Sequence, residues 1–187
     1  MGALTERSIL VGVTGGIACY KACELVRELR RLGATVRVMM TPHALEFVTP
    51  LTFQTLSQNP VAVSMFEPVR QWEIEHIALA RGAEAIVVAP ATANVIGKTA
   101  HGIADDLVST VIMATRAPVV LCPAMNVAMW ENPMVQGNVE RLRGHGYRFV
   151  GPEEGDLACG EEGKGRLAPV SEIVSAVAEV LGVSLDG

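Results

Sequence analysis

Short apolar runs alternate along this chain with longer segments in which apolar residues recur every three or four positions. Four runs are rich in β-branched residues, which is typical of strands buried on both faces. They are Ser8–Val13, Thr35–Met40, Ala85–Pro90 and Pro118–Ala124. The helical spacing that follows the first run ends at Gly33, which predicts a helix with a glycine at its C-terminal cap. A strand, a helix and a second strand in this order predict a right-handed βαβ unit with parallel strands.

The same alternation continues to the end of the chain. Further helices are predicted around His76 and over 49–57, 105–115, 132–143 and 170–181, and an edge strand over 147–150. Gly151–Arg166 holds five glycines and has no clear periodicity, so a long loop is predicted there, of a kind that is often functional. With neither a repeat nor a linker, residues 1–187 predict a single α/β domain. Its expected fold is a doubly wound, Rossmann-like parallel sheet with helices on both faces.

Composition narrows the classes of function. The 187 residues are 50% apolar and 19% charged, and the formal net charge is −5. An acidic balance disfavours nucleic acid or an anionic membrane as the main partner. We expect no membrane span and no signal peptide, because no apolar run reaches ~20 residues and the N-terminus lacks an apolar core. Sparse charge suggests a homo-oligomer that hides part of the surface.

The four cysteines bear on the compartment and on reactivity. Cys19, Cys23, Cys122 and Cys159 lack the spacing of a disulfide framework, so a reducing cytoplasm is expected. Cys122 lies in a predicted strand and is expected to be inert. Cys159 lies in the glycine-rich predicted loop, within the sequence LACG, which is unusual for a residue type that is mostly buried. It is therefore a candidate thiol acid or nucleophile.

Four segments leave predicted strands at the carboxyl edge of the sheet, where open α/β folds bind ligands. They are Thr14–Ile17, Thr41–Ala44, Pro90–Asn94 and Pro123–Asn126. The glycines of the first segment and the helix that follows suit a phosphate group. A tight strand-to-helix turn explains them equally well, since neither GxGxxG nor a P-loop is present. Together the four segments predict a backbone-lined cradle for a flat, phosphorylated ligand.

Several polar side chains near this edge have both a chemical and a structural interpretation. Thr92 and Asn94 suit the rim of a heteroaromatic ring or a ribityl chain, but Thr92 also suits a helix N-cap. For Asp105 and Asp106 we favour helix capping over acid–base catalysis. For Lys164 and Arg166, solvated surface charge is slightly favoured over binding of an anion.

His76 is a candidate catalytic residue, although a lone histidine is more often structural. The ordinary pKa of a histidine side chain lies near neutrality. Glu73 and Glu75 lie beside His76 in sequence and could raise that pKa if their carboxylates come close. The other histidines, His43, His101 and His145, are its competitors. None of them has neighbours at zinc-site spacing, so no metal is expected.

Taken in order, these motifs resemble the homo-oligomeric flavin-containing cysteine decarboxylases, from Ile9 to about Leu181. The segment PAMNVAMW, residues 123–130, fits the family signature P-x-M-N-x-x-M-W at every fixed position. LACGEEGKGR, residues 157–166, is similar to the family's substrate clamp, and EHIALA, residues 75–80, carries its histidine. PATANVIGK and GIADDL, which begin at residues 90 and 102, match the flavin-side segments.

The resemblance implies FMN as the cofactor and assigns roles to individual residues. It implies His76 as the catalytic base and Cys159 as the proton donor of the last step. The implied substrate-binding residues are Asn126, Met129, Ala158, Lys164 and Arg166. The implied FMN-binding residues are Gly15, Gly16, Ile17, Thr41, Thr92, Ala93, Asn94 and Ala124.

The reaction implied by the resemblance is decarboxylation of 4'-phospho-N-pantothenoylcysteine to 4'-phosphopantetheine, in coenzyme A biosynthesis. It runs through a transient thioaldehyde and an enethiolate that is reduced again. The alternatives are an oxidative decarboxylase of a peptide C-terminal cysteine, which needs no donor such as Cys159, and a regulatory flavoprotein without activity. The implied partners are neighbouring subunits in a trimer or a dodecamer, with His76 serving a shared site, and a phosphopantothenoylcysteine synthetase domain.

Overall fold

A six-stranded parallel sheet forms the centre of the computed structural model, which describes residues 2–65, 75–158 and 160–185. The strand order is β3-β2-β1-β4-β5-β6, the doubly wound arrangement predicted from the sequence. The strands are β1 (Ser8–Val13), β2 (Thr35–Met40), β3 (Val61–Ala62), β4 (Ala85–Ala91), β5 (Val119–Pro123) and β6 (Arg148–Phe149). Each neighbouring pair is parallel, so the carboxyl ends of these strands lie at one edge.

Helices cover both faces of the sheet. They are α1 (Cys19–Arg31), α2 (Pro50–Ser57), α3 (Glu75–Gly82), α4 (Ala93–His101), α5 (Leu107–Ala114), α6 (Val127–Glu131), α7 (Pro133–Gly144) and α8 (Val170–Val180), with a 3-10 helix over Pro42–Glu46. Among the described residues, no helix combines the length and apolar character needed to cross a membrane.

The alternation of side chains along the strands divides the core into two clusters. Val11 and Val13 of β1 pack with the apolar faces of α1, α2 and α8, whereas Leu10 packs with α3, α4, α5 and α7 on the opposite face. Because both faces are covered, the central strands are almost entirely apolar, which is why their sequences lack a polar face. Cys122 lies in this core as predicted, and burial raises the pKa of its thiol.

Most predicted helix boundaries are close to the observed ones. Helix α1 is followed by Gly33, whose φ of +97° is the left-handed conformation expected of a terminating glycine. Helix α2 ends at Gln58, with φ of 56°, before the chain reaches Pro60. Asp106 caps α5 with a reciprocal bond to Ser109, which confirms the capping interpretation of this aspartate. The short helix α6 was not among the predicted elements.

The prediction of an irregular loop over 151–166 is wrong. Two antiparallel strands, β7 (Glu153–Asp156) and β8 (Glu162–Arg166), form a hairpin there. Glycine is depleted in strands because it packs no side chain, so its abundance hides the pattern. In β8 the glycines at 163 and 165 alternate with charged residues, and this period of two is a strand signal.

The glycine face of β8 allows the hairpin to pack closely against the segment between β5 and α6. The Met125 N–H donates to the Gly165 carbonyl oxygen at 3.0 Å. A Cβ at Gly165 would overlap the Met125 carbonyl oxygen, and a Cβ at Gly163 would lie 2.9 Å from Val127 Cγ2. At Gly165 the hairpin and the strand-end segment therefore meet through their backbones, and at Gly163 the hairpin packs on the Val127 side chain.

Gly165→Ala is expected to lower the free energy of unfolding by about 1–3 kcal/mol, because the added methyl group forces the two backbones apart. Urea denaturation measures this change, and amide hydrogen exchange at Met125 reports the local contact. Gly137→Ala is the control. A Cβ at this exposed position of helix α7 meets nothing within 4 Å, so the variant should gain about 0.5–1 kcal/mol. Equal behaviour of the two variants would contradict the packing argument.

Candidate functional site

A cavity of about 710 Å³ opens at the carboxyl edge of the sheet. Its walls are the segments that follow β1, β2, β4 and β5, together with the hairpin. Many residues of the predicted site line it. They are Gly15, Gly16, Ile17, Thr41, Thr92, Ala93, Asn94, Ala124, Asn126, Met129, Ala158 and Arg166. The structure therefore brings together residues that are more than 100 positions apart in the sequence.

A buried hydroxyl group joins two of the cavity walls. Thr14 Oγ1 donates to the Pro90 carbonyl oxygen at 2.7 Å and accepts from the Thr92 N–H at 3.2 Å. The Thr92 hydroxyl in turn accepts from the Val95 N–H at 3.4 Å and caps helix α4. The N-cap interpretation of Thr92 is thus confirmed, and the same residue also lines the cavity.

Glycine at position 15 is required by a close approach between two strand-end segments. A Cβ there would lie 2.9 Å from the carbonyl carbon of His43, at the start of the 3-10 helix. A Cβ at Gly16 would make only ordinary contacts, the nearest at 3.6 Å from Thr92 Cγ2. Gly15 therefore serves packing of the protein itself, whereas Gly16 leaves its backbone open at the start of helix α1.

The cavity contains polar groups that suit a polar, phosphorylated ligand. Thr41 Oγ1 is buried in the cavity wall and has no hydrogen-bond partner among the described residues. An unpaired buried hydroxyl is costly, which favours a ligand that completes its hydrogen bonding. The first turn of α1 adds backbone N–H groups and the positive end of the helix dipole. The residues present thus fit the flat, phosphorylated ligand expected from the sequence.

An ion-pair cluster supports the wall formed by α4 and α5. Lys98 Nζ lies 2.6 Å from Asp105 and 2.9 Å from Asp106, and the Asp106 side chain is only 13% exposed. Burial by itself would raise the pKa of Asp106, but hydrogen bonds from Ser109 and Lys98 outweigh it and lower that pKa. Asp106 is therefore a fixed anion that caps a helix, and it does not have the environment of a proton-transfer acid.

Asn126 lies where the hairpin meets the strand-end segment. Its Oδ1 caps α6 by accepting from the N–H groups of Ala128 at 2.9 Å and Met129 at 3.4 Å. This fixes the orientation of the amide and turns Nδ2 towards the hairpin, where it donates to Glu161 Oε2 at 2.5 Å. Asn126 thus presents a hydrogen-bond donor to carboxylate oxygens.

The hairpin residues divide between the cavity and its outer surface. Ala158 and Arg166 line the cavity, whereas Lys164 does not and stands opposite Glu154 on the neighbouring strand. For Lys164 the structure favours the surface-charge interpretation. Cys159, the predicted proton donor, lies outside the described residues.

His76 lies apart from the other predicted site residues of this chain. It belongs to helix α3 and does not line the cavity, although its Nδ1 is buried without a partner among the described residues. Of its competitors, His43 lines the cavity, and His101 Nδ1 lies 2.9 Å from the Gly97 carbonyl oxygen. His145 ends helix α7.

Sequence reasoning missed Tyr20, Lys21 and Asp156 as cavity residues. Tyr20 and Lys21 follow Ile17 by three and four positions on helix α1, so helical spacing from the glycine turn was an available signal. Asp156 had no such signal, because it reaches the cavity only through the hairpin.

Comparison with known proteins gives concordant matches. The family model described as Flavoprotein matches residues 2–182. The coenzyme A biosynthesis bifunctional protein CoaBC of Bacillus subtilis is 51% identical over 171 residues, which are 91% of this chain. This chain covers only 42% of that relative, less than half of its length.

Two solved structures cover nearly the whole chain. A PPC decarboxylase variant in complex with pantothenoylaminoethenethiol is 30% identical, with a TM-score of 0.82 over 92% of this chain and 97% of that one. The FMN-dependent cysteine decarboxylase SpaF is 33% identical, with a TM-score of 0.83 over 95% and 97% of the two chains.

The lowered pKa of Asp106 predicts a pH-dependent contribution to stability. We expect Asp106→Asn to lower the free energy of unfolding by about 1–2 kcal/mol at pH 7. The difference should persist above the ordinary aspartate pKa of about 3.9 and fade as the pH falls through the lower folded value. Urea denaturation between pH 2 and 8 measures it. Asp105→Asn is the control, because that side chain is 59% exposed. A pH-independent difference would refute the assignment.

Proposed function

Because the chain belongs to the Flavoprotein family, we propose that it is an FMN-dependent decarboxylase of 4'-phospho-N-pantothenoylcysteine in coenzyme A biosynthesis. The flavin itself follows from the family. The observation that supports this substrate and this reaction is the amide of Asn126. It is a hydrogen-bond donor at the edge of the cavity, and its helix cap fixes its orientation. The names of the CoaBC relative and of the PPC decarboxylase structure support the same substrate class.

The glycine turn and the strand ends are the proposed FMN site. Gly16, Ile17 and the start of α1 offer backbone N–H groups to the phosphate, and Thr41 Oγ1 offers an otherwise unpaired hydroxyl. Gly15, Thr92, Ala93, Asn94 and Ala124 complete the proposed contacts. When bound, FMN supplies a reversible two-electron acceptor, which amino-acid side chains lack.

The proposed role of Asn126 follows from the chemistry of the substrate. Loss of CO2 from a cysteine carboxylate leaves an electron pair that needs an acceptor. Two-electron oxidation of the Cβ–S bond to a thioaldehyde provides one, and decarboxylation then gives an enethiolate. Asn126 Nδ2 is proposed to hold the carboxylate in the orientation that this step needs. Met129 and Ala158 line the cavity where the reacting end of the substrate is proposed to lie. Arg166, whose cationic side chain lines the cavity, is proposed to attract the anionic substrate, and Lys164 is proposed to add only positive charge from the outer surface of the hairpin.

Cys159 is proposed to donate the proton that accompanies return of the two electrons, which gives the saturated aminothiol. The overall reaction then releases CO2 with no net change in oxidation state. The glycine contacts that hold the hairpin against Met125 support a second role for this segment, as a clamp over the substrate. Exclusion of water by that clamp protects the reactive thioaldehyde.

We propose that His76 acts as the base in a site completed by a neighbouring subunit of a trimer or a dodecamer. Two observations support a shared site. His76 does not line the cavity of its own chain. In addition, apolar side chains at the cavity are left exposed, with Ile17 at 58%, Tyr20 at 60% and Met129 at 47%. A neighbouring subunit that covers them would remove apolar surface from water.

The source of the substrate, the extent of the active unit and the cellular compartment are also proposals. The chain spans less than half of the bifunctional relative, so we propose that a phosphopantothenoylcysteine synthetase domain supplies the substrate. Residues 1–187 are proposed to act as a single decarboxylase unit, which agrees with the extent of the family match. A reducing cytoplasm is proposed, since Cys19, Cys23 and Cys122 are free thiols.

A second candidate is oxidative decarboxylation of a peptide C-terminal cysteine. The similarity to SpaF, an FMN-dependent cysteine decarboxylase, is compatible with this reaction as well as with the first. That reaction ends at the enethiol, whereas the proposed reaction continues to the saturated thiol with Cys159 as donor. A purely regulatory flavoprotein would bind the cofactor and release no CO2.

Mass spectrometry of the product tests the proposal directly. The purified protein with bound FMN should convert 4'-phospho-N-pantothenoylcysteine to CO2 and 4'-phosphopantetheine. Cys159→Ser should give a product lighter by two hydrogen atoms, because the enethiol is not protonated and reduced. An enethiol from the unaltered chain would instead favour the peptide-type reaction, and no CO2 from any cysteine derivative would refute a decarboxylase.

Complementation between inactive subunits tests the shared site. His76→Asn and Asn126→Asp should each lower turnover at least about 100-fold, and Asp still caps α6. If each site takes its histidine and its asparagine from different subunits, coexpression should restore about a quarter of the activity by random mixing. The control is His76→Asn coexpressed with a chain that carries both His76→Asn and Asn126→Asp, and it should stay inactive because no subunit supplies a histidine. Mixed oligomers without recovery would contradict a shared site.

A further inference from the structure

The hydrogen bond between Asn126 and Glu161 places a carboxylate of the chain itself on the proposed substrate-binding amide. Asn126 Nδ2 donates to Glu161 Oε2 at 2.5 Å. The other end of the amide is engaged with the N–H groups of Ala128 and Met129, so rotation of the amide would break the cap of α6. The donor that faces Glu161 is thus the one proposed to hold the substrate's carboxylate.

The backbone around Glu161 is held in place by short local hydrogen bonds. The Leu157 N–H donates to the Glu161 carbonyl oxygen at 2.8 Å, and the Gly160 N–H donates to the Leu157 carbonyl oxygen at 2.9 Å. The base of the hairpin is anchored separately by the bond from Met125 to Gly165. Glu161 itself is exposed, so its side chain has room to leave Asn126 while the hairpin stays anchored.

We propose that Glu161 is an internal substitute for the substrate's carboxylate, which occupies Asn126 until substrate displaces it. This inference rests on the proposed function. Asn126 Nδ2 carries two N–H groups, but two carboxylates bound to the same nitrogen would stand close together and repel each other. Binding of substrate therefore requires release of Glu161.

This exchange makes the affinity of the site depend on whether the ligand still carries its carboxylate. A ligand that carries the carboxylate must displace Glu161, whereas the decarboxylated product has no group to hold Asn126. Glu161 can then return to the amide without competing with the product. Glu161 is accordingly a specificity-determining residue that lowers the affinity for carboxylate ligands and leaves that for the product unaltered.

Two unreactive ligands that differ only in the carboxylate test this inference. 4'-Phospho-N-pantothenoylserine keeps the carboxylate but has no sulfur, and the corresponding ethanolamide lacks the carboxylate. Titration calorimetry with the FMN-loaded protein measures the Kd of each. Glu161→Gln replaces a charged acceptor with a neutral one, so the serine ligand should bind about threefold to tenfold more tightly. The Kd of the ethanolamide should stay unchanged.

Glu162→Gln is the matched control, because it removes the same charge from the next residue, which stands opposite Asp156 on the hairpin. It should change neither Kd. The inference is overturned if Glu161→Gln leaves the serine ligand unaffected, or if both ligands or both variants respond equally. CO2 release by the unaltered protein, measured alongside, separates this failure from failure of the proposed function. A serine ligand that binds none of the proteins, without CO2 release, overturns both.

Discussion

Parallel pairing of β1 with β2 and β4, and of β4 with β5, forces the segments that follow these strands to one edge of the sheet. Most of the cavity wall arises from this constraint, and the hairpin and Asp106 at the start of α5 complete it. The Thr14 hydroxyl then links the end of β1 to the segment after β4 through two hydrogen bonds. Since the strands are closely packed on both faces, the positions of their ends are fixed, and so are the positions of the cavity walls that begin there.

Close backbone contacts add the parts that the sheet does not supply. Gly15 permits the approach of His43, and Gly165 permits the hairpin to bond to Met125. In both places a methyl group would separate two segments that line the same cavity. The glycines therefore act through packing of the protein, and this bears on function because it sets where Asn126 and the hairpin stand relative to each other.

Two carboxylates at the site differ in how firmly they are held. Asp106 is held by Ser109 and Lys98, so its negative charge stays in place as part of the support of α4 and α5. The Glu161 side chain is exposed and accepts a hydrogen bond from Asn126 at the edge of the cavity. In the proposed reaction this difference separates a structural carboxylate from one that gives way to substrate.

The doubly wound sheet could be predicted from the sequence, because apolar runs and helical spacing directly reflect burial on both faces. The sequence also predicted the strand-end segments of the cavity, since parallel topology fixes where they must meet. Three features could not be predicted in this way: Gly151–Arg166 forms a hairpin, Asn126 faces Glu161, and His76 does not line the cavity of its own chain. These features depend on contacts between segments distant in sequence, which local periodicity does not record.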